Sequence, residues 1–537
     1  MKKNLLGISL ITLSCLYGML VGVVILACII AKVPITNALL ISMIVLILQF
    51  LFAPALNDFV FKHLYKAKFD QKIPEYLEKF IKESCEKHNM KYPRIGFIDD
   101  GTPNAFTYGR TKNDARVIFT RGILELLTED EVKAVVAHEL GHARHYDMLF
   151  MTVAQLVPLM LYYVAEILLR TNSKSSSSSN NNGNLLTLVG AIAYVLYIIS
   201  QYIILWLSRT REYYADSFAI EETKNPNALG SALVKIGFGL AAGGKKENSK
   251  MPNGNALGIN NANISKGMAI SAYNNNNGEV TKESIINAMK WEQWNIWAKV
   301  NELNSTHPLI SKRLLAISAR SEEFGQEPYI VFNEEKTESY VDDFAIDVFI
   351  ASTPFILTIA YLVLLFININ SQFINTWLLT GLYGILLTAS LFSLLNKKHK
   401  NSGYKETNVE ELLSQVKVSN VTSIPCILEG KIIGRGNPGC IFNEDFVLQD
   451  DTGIIFLDYN QPLYALEKLF ALFKSEEYFD KKVKIKGWYR RGAVPYVELY
   501  SMEIDGKVKK CHTYNVRKVF YWILLIASLA CTIMSVM

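Results

Sequence analysis

Long uninterrupted runs of apolar residues dominate the pattern of this chain. Two of them come first, at 5–31 and 38–56, and each is long enough to cross a bilayer, which takes about 20 residues of α-helix. The first run also lacks the short apolar core and the small-residue cleavage site of a signal peptide. Five further runs lie at 148–169, 185–207, 345–367, 377–395 and 519–536. The pattern predicts a mainly α-helical, multi-pass membrane protein with seven spans.

Lysine and arginine are distributed unevenly between the segments that connect these spans. With the N-terminus in the cytoplasm, the loops on the opposite side carry only Lys32, Arg170 and Lys174. The cytoplasmic segments carry basic clusters at 2–3, 62–72, 397–400 and 517–518. Cytoplasmic loops of membrane proteins are enriched in Lys and Arg. We therefore predict that 57–147, 208–344 and 396–518 face the cytoplasm, below a plasma or inner membrane.

Residues 405–510 follow a different pattern. Short alternating runs such as Val483–Trp488 are separated by turn sequences such as Asp450-Asp451-Thr452-Gly453, which are strand and hairpin signals. We predict a small all-β domain here that resembles an OB-fold. Barrels of this kind bind nucleic acid or protein. The mixed charges of this one favour a structural or protein-docking role, and we expect no nucleic-acid partner.

Composition adds two constraints. Half of the residues are hydrophobic, only 20% are charged and the net charge is +5, which agrees with membrane spans and provides no basic stripe for nucleic acid. The seven cysteines are scattered without a C-x-x-C pair. This argues against a disulfide framework and against a cysteine-ligated metal.

Residues 138–142, His-Glu-Leu-Gly-His, carry the clearest chemical signal. On a helix, positions i and i+4 share a face, so both imidazoles can bind one metal ion while Glu139 acts on water beside it. Thr128 and Glu131 form a capping box that starts this helix. We predict that His138 and His142 bind one Zn²⁺ per subunit and that Glu139 is the general base. The alternative is a metal-free helix surface, and an H-E-x-x-H sequence is rare by chance among eight histidines.

Residues further along resemble the HtpX-type membrane metallopeptidases, which are gluzincins. Residues 208–216, Ser-Arg-Thr-Arg-Glu-Tyr-Tyr-Ala-Asp, match the family pattern S-R-x-x-E-x-x-A-D. The Glu of that pattern is the third zinc ligand in the family, so the resemblance implies this role for Glu212. A catalytic zinc needs a third protein ligand and one position left for water. The resemblance extends over about residues 1–320.

Two other segments carry the same resemblance. Pro103–Thr107 is similar to the family's P-N-A-F segment, which implies that this region, with a strand at 116–120, supplies a sheet edge for an extended substrate. Ser305–Pro308 and Arg313 are similar to the motif S-T-H-P…R. This implies that His307 is a catalytic residue that steadies the oxyanion of the tetrahedral intermediate. Without the resemblance, the ordering of a loop before a proline explains His307 equally well.

The polar residues around these motifs have less specific roles. Asp216 lies four residues after Glu212 on the same helix face, where it can accept the free ring N–H of a ligating histidine from the second shell; a solvated helix carboxylate is the alternative. We interpret His145 and Asp147 as interfacial or second-shell residues, because a catalytic zinc keeps one position open. Glu166, inside the third span, is expected to face a helix partner or a wet cavity.

The spacing between the motifs and the spans places the metal close to the bilayer. His142 lies six residues before the third span, and Glu212 lies five residues after the fourth. If the helices continue unbroken, both ligands lie roughly 8–9 Å from the membrane boundary at 1.5 Å per residue. Such a site suits loops or tails that emerge from the membrane.

The sequence therefore predicts a membrane zinc metalloendopeptidase that acts on membrane-protein or unfolded polypeptide substrates, in quality control. The predicted domains are two N-terminal spans at 1–56, an α+β peptidase domain with a small edge sheet at 57–344, a membrane hairpin at 345–395, the β-domain at 396–518 and a last span at 519–536. Two alternatives remain. One is a prenylated-protein-type protease of the same superfamily, which has more spans before the zinc helix. The other is a catalytically silent scaffold that recruits a protein partner through the β-domain.

Overall fold

The computed structural model describes residues 5–31, 35–101, 103–173, 181–242, 282–336, 338–372, 374–435, 445–463 and 475–535. The chain divides into two compact units. Of the described residues, those within 5–240 and 302–331 belong to the first unit, and those within 241–242, 282–301 and 332–535 belong to the second. Each unit has its own membrane helices and its own sheet, so they are described separately.

Long apolar helices form the membrane part of the first unit. Helices α1 (Leu5–Ala31), α6 (Asp147–Ser173) and α7 (Asn181–Thr223) are long and apolar enough to cross a membrane. Their facing side chains, among them Leu16 and Leu161, pack into one buried cluster. Helix α2 (Ile35–His63) contains the second predicted span. Many of its side chains lie outside the described residues, so that span stays a prediction.

A four-stranded sheet and several helices form the polar part of the first unit. The strands are β1 (Lys68–Phe69), β2 (Arg94–Ile98), β3 (Ala105–Gly109) and β4 (Ala115–Thr120), in the order β1-β2-β4-β3. The helices are α3 (Glu75–Lys87), α4 (Arg121–Leu126), α5 (Glu129–Arg144), α8 (Pro226–Ala242) and α11 (Ile310–Ser318). Strand β3 begins within the segment predicted to supply a substrate edge, and it is one of the two edge strands of this sheet, with β1 at the other edge.

Helices α5 and α6 are separated by a short break of two residues. Helix α5 ends at Arg144, Tyr146 has a φ of 58°, and α6 begins at Asp147. A left-handed backbone at a bulky residue is uncommon and interrupts a helix. The expected unbroken helix from His142 into the membrane is therefore wrong. Helix α7 does continue without a break from its apolar part through Glu212.

The second unit contains three more candidate membrane helices: α12 (Val341–Ser371), α13 (Thr376–Lys398) and α15 (Thr513–Met534). Gly381 and Gly384 of α13 lie against Thr532 and Ser528 of α15, because small residues let membrane helices approach closely. The described residues thus contain six candidate spans, one fewer than predicted, and the missing one is the span on α2. Two short helices precede α12, namely α9 (Lys282–Trp294) and α10 (Ile296–Leu303).

The predicted β-domain is a barrel. The strands are β5 (Lys405–Glu406), β6 (Ile424–Arg435), β7 (Phe446–Gln449), β8 (Ile454–Asp458), β9 (Lys482–Arg491), β10 (Pro495–Ile504) and β11 (Lys507–Lys510), and α14 (Val409–Leu413) follows β5. Five of them close in the order β6-β7-β8-β10-β9, with β9 returning to β6. The pair β8–β10 is parallel. Alternating residues such as Leu428, Ile455 and Ile485 fill the interior.

Candidate active site

The predicted metal helix begins and packs as its sequence indicates. Thr128 Oγ1 accepts from the backbone N–H of Glu131, and the Glu131 carboxylate accepts from the N–H of Thr128 at 2.8 Å. A Cβ added to Gly141 would lie 3.1 Å from the Cα of Ala215. Helices α5 and α7 therefore approach backbone to backbone beside the H-E-x-x-H residues. This close crossing brings residues more than seventy positions apart in sequence to one point.

His138, His142 and Glu212 converge at that crossing. The two Nε2 atoms lie 3.2 Å apart, and the Glu212 oxygens lie 3.6 Å from Nε2 of His138 and 3.5 Å from Nε2 of His142. His138 and Glu212 are buried. The structure thus brings the three predicted ligands together within 4.8 Å of one another.

Each histidine is oriented by a carboxylate on its other ring nitrogen. Asp216 Oδ1 lies 3.0 Å from Nδ1 of His138, and Asp147 Oδ2 accepts from Nδ1 of His142 at 2.6 Å. Both aspartates are buried, so Asp216 is not a solvated surface carboxylate. A carboxylate on Nδ1 keeps the proton there and leaves the Nε2 lone pair for a metal. Two such lone pairs facing a carboxylate form a donor set that fits a divalent cation.

Charge at the site is balanced by Arg313 of α11. Its guanidinium donates to both oxygens of Asp216, at 2.9 and 2.6 Å, and Nη1 lies 3.4 Å from Oε2 of Glu212. Burial lowers the pKa of Arg313, but the charges of Asp216 and Glu212 outweigh burial and raise it. Desolvation likewise lowers the pKa of His142, and the hydrogen bond to Asp147 with the charge of Glu212 raises it to about 9.

Glu139 and the edge strand lie next to each other. Glu139 is buried beside His138 on α5, and its backbone carbonyl accepts from Thr107 Oγ1 of β3 at 3.2 Å. Further along β3, the Tyr108 hydroxyl donates to Asp58 of α2 at 2.6 Å. Edge strand β3 is therefore hydrogen-bonded to α5 through Thr107 and to α2, the helix of the second predicted span, through Tyr108.

His307 lies against the same carboxylate as the histidine pair. Its Nδ1 is 3.1 Å from Oε2 of Glu212, and its Nε2 is buried without a hydrogen-bond partner in the described part of the chain. The backbone around it is held by Ser305, whose Oγ donates to the carbonyl of His307 at 2.8 Å. Arg209 donates to the carbonyls of Glu302 and Ser305, both at 2.8 Å. The structure therefore brings His307 to the metal centre.

Comparison with known proteins identifies the family. Residues 70–321 match the family model described as Peptidase family M48. A protein of Methanothermobacter thermautotrophicus named "Protease HtpX homolog" is 37% identical over 194 residues, which cover 36% of this chain and 69% of that protein. The chain belongs to peptidase family M48. The resemblance to HtpX-type metallopeptidases is thereby confirmed.

Other relatives of this M48 chain have the same name. The protease HtpX homolog of Aeropyrum pernix is 29% identical over 199 residues, 37% of this chain and 61% of that protein. The homolog of Campylobacter hominis is 33% identical over 180 residues, 34% of this chain and 63% of that protein. In both cases the match spans less than two thirds of the relative. The crystal structure of S. mikatae Ste24p aligns with 58% of this chain and 64% of its own, at a TM-score of 0.35 and 16% identity.

The sequence alone did not predict the roles of several residues in this M48 site. Arg209 and Arg211 fall inside the S-R-x-x-E-x-x-A-D pattern, but only their contacts give them a role. His145 does not approach the metal ligands as a further ligand, and burial lowers its pKa to about 4. Glu166 pairs with Arg170 on its own helix at 2.6 Å, and the expectation that it faces another helix or a cavity stays a prediction. Glu and Arg at i, i+4 could have predicted that pair.

Proposed function

We propose that this M48 protein is a zinc-dependent metalloendopeptidase of the membrane. The observation that carries the proposal is the convergence of His138, His142 and Glu212 beside Glu139. Two imidazoles and a carboxylate are the ligand set of catalytic zinc sites, which keep a further position for water or substrate. One Zn²⁺ bound per subunit would polarise the scissile carbonyl and make water acidic enough to be deprotonated near neutral pH.

Glu139 and His307 supply the proton transfer and the oxyanion contact in this proposal. The Glu139 carboxylate accepts the proton of the attacking water and delivers it to the amine of the leaving group. The Nε2–H of His307 donates to the oxygen that becomes negative in the tetrahedral intermediate, since this nitrogen is otherwise unpaired among the described residues. Both groups are carried on backbone that is held by hydrogen bonds, which limits their movement.

Substrate in extended form would add a strand to the open edge of β3. The backbone groups on that edge are unpaired within the four-stranded sheet, and strand addition satisfies them while leaving side chains alternately on each face. The contact between Thr107 and the carbonyl of Glu139 keeps this edge next to the metal helix. Unfolded polypeptides and exposed loops or tails of membrane proteins meet this requirement, whereas folded domains do not.

The membrane placement of the site supports a role in membrane-protein quality control, in the plasma or inner membrane. Glu212 is on the same continuous helix as a candidate span. The excess of basic residues in 62–72, 397–400 and 517–518 supports a cytoplasmic active site. The barrel order β6-β7-β8-β10-β9 supports an OB-like domain, for which we propose protein docking.

Glu139→Gln tests the proposed function. In detergent, zinc-loaded protein with this change is expected to cleave casein at least ~10²-fold more slowly than wild type, since general acid–base catalysis contributes about 10²–10⁴-fold. Zinc content, measured by inductively coupled plasma mass spectrometry, is expected to be unchanged. Glu129→Gln, an exposed glutamate in the first turn of the same helix, is the matched control and should cleave like wild type.

The other outcomes separate the competing hypotheses. Full activity of Glu139→Gln would exclude Glu139 as the base. Wild type that binds one zinc and cleaves no peptide would favour a silent scaffold. Wild type that binds no zinc would refute the metal site itself.

His307→Ala gives a second test within the same assay. Removing one donor to an oxyanion costs about 10²–10³-fold in kcat, and we expect that loss with unchanged zinc content. A parallel loss of zinc would contradict the proposed role and would show that His307 acts on Glu212, from which it lies 3.1 Å away.

A further inference from the structure

A chain of buried polar contacts runs from the first membrane helix to the metal ligand His142. Arg211 of α7 donates through Nε to Asp147 Oδ1 at 2.5 Å, and its Nη2 also contacts that carboxylate. The other carboxylate oxygen, Oδ2, accepts from Nδ1 of His142 at 2.6 Å. At its far side, Nη1 of Arg211 lies 2.5 Å from the hydroxyl of Ser9 in α1. Four helices, α1, α5, α6 and α7, therefore meet in one hydrogen-bonded chain.

The guanidinium is held in one orientation. Arg211 is 2% exposed, and besides Asp147 and Ser9 it donates through Nη2 to the carbonyl of His145 at 2.8 Å. Its flat face lies over the ring of Phe150, 4.8 Å from the centroid. The planar fork of an arginine fixes the direction of each hydrogen bond, which a lysine ammonium cannot do. Arg211 therefore fixes Oδ1 of Asp147, and this orients the other oxygen, Oδ2, toward Nδ1 of His142.

Each of the two ligand histidines contacts an aspartate that is held by an arginine, but the two arginines contact different further groups. Asp216, which contacts His138, accepts from Arg313, and Arg313 also contacts Glu212. Asp147, which contacts His142, accepts from Arg211, and Arg211 instead also contacts Ser9 of the membrane helix α1. Asp147 lies beyond the break at Tyr146, which separates α5 from α6. Besides the backbone hydrogen bonds of this turn, the contact from Arg211 of α7 holds the Asp147 carboxylate toward His142.

We propose that Arg211 and Ser9 are positioning residues for His142, acting through Asp147, so that the first membrane helix is part of the scaffold of the metal site. The inference rests on the proposed metal site. Its consequence is that a change inside a membrane helix alters metal affinity without touching a ligand.

Cobalt binding by full-length protein in detergent tests this. Co²⁺ replaces zinc in N/O sites, its affinity is measured by competition with a chelator, and its visible d–d bands report ligand number and geometry. Asp147→Asn and Arg211→Lys are expected to weaken Co²⁺ binding about 10–100-fold, as is typical for groups that orient metal ligands, and to change the d–d bands. Ser9→Ala removes one hydrogen bond and should weaken binding about 3–10-fold.

Two comparisons distinguish positioning from mere packing. Thr12→Val is the matched control for Ser9→Ala, because Thr12 is also buried in α1 and, within the part of the chain that the structure describes, donates to the carbonyl of Ile8 in its own helix, at 2.8 Å. It should leave Co²⁺ affinity and spectrum unchanged. The double variant Asp147→Asn/Arg211→Lys should bind Co²⁺ no more weakly than the weaker single variant, since residues that act through one another are not additive.

Three results would overturn the proposal. Ser9→Ala and Arg211→Lys with wild-type Co²⁺ affinity and spectrum but a lower melting temperature would make the cluster structural only. Additive losses in the double variant would mean that Arg211 does not act through Asp147. Wild type without Co²⁺ or Zn²⁺ binding would refute the proposed function and this inference with it, a result seen before any variant is made. If Arg211→Lys does not fold, the comparison of Ser9→Ala with Thr12→Val decides.

Discussion

Glu212→Gln is expected to remove the metal from this M48 protein and, with it, peptidase activity. The carboxylates of Asp216 and Asp147 are already engaged by arginine and by the Nδ1 side of the histidines. Among the described residues, Glu212 is the carboxylate that faces both Nε2 atoms. Replacing its charge by an amide turns the anionic ligand of the three into a neutral and much weaker donor. The loss in zinc affinity should therefore exceed the ~10–100-fold typical of residues that only orient a ligand.

Zinc stoichiometry after dialysis, measured together with casein cleavage, checks this expectation. Glu221→Gln is the matched control on the same helix, since Glu221 is exposed and its contact with Arg320 is a surface pair at 3.5 Å, which contributes little. If Glu212→Gln keeps one tightly bound zinc, the third ligand is another group. His307 would then be the first candidate, because its Nδ1 already lies next to the Glu212 carboxylate.

Arg313→Met should cost more stability than a change at any exposed arginine. Arg313 has no exposed surface and contacts two buried carboxylates, those of Asp216 and Glu212. Removing one partner of a buried ion pair leaves an uncompensated charge and costs about 3–5 kcal/mol. In a domain of about 150–250 residues that corresponds to a fall of roughly 6–20 °C in melting temperature. The fall should be largest after chelation, when no cation neutralises Glu212.

Thermal melting with and without a chelator provides the measurement. Arg320→Met is the control. Arg320 lies seven residues after Arg313, is partly exposed and pairs with the exposed carboxylates of Glu221 and Glu323, and changes at such surface pairs stay within about 0.5 kcal/mol. Arg313→Lys keeps the charge but loses the two-pronged contact with Asp216, so its melting temperature should lie between those of wild type and Arg313→Met. Equal melting of Arg313→Met and Arg320→Met would show that the buried carboxylates do not depend on Arg313.

The site is attached to the membrane helices at more than one point. Arg211 connects the His142 side to α1, and Tyr108 connects the edge strand to α2 through Asp58. With the second span on α2 as predicted, the proposed metal site and the proposed substrate edge are both anchored to membrane helices, which suits polypeptide that leaves the bilayer nearby. This arrangement supports the proposed substrates better than the catalytic residues alone, which would serve any extended peptide.

The sequence by itself determined the features that depend on neighbouring positions. The spacing of His138 and His142 predicts one helix face, the Thr128–Glu131 capping box predicts where that helix begins, and the apolar runs predict membrane helices. Each of these predictions depends on residues within one or two helical turns of each other, or on one continuous apolar segment. Glu212 could be named only because its surroundings resemble a known family. No rule of spacing connects it to a histidine seventy positions earlier.

Only the tertiary structure decided which distant groups meet. The close crossing at Gly141 and Ala215 brings Glu212 to the histidines, and the break at Tyr146 separates α5 from the membrane helix that follows. The contacts of Arg211 span 64 residues to Asp147 and 202 residues to Ser9. Such pairings follow from how whole helices pack, since buried charges must find partners wherever packing brings them. Local sequence patterns do not contain that information.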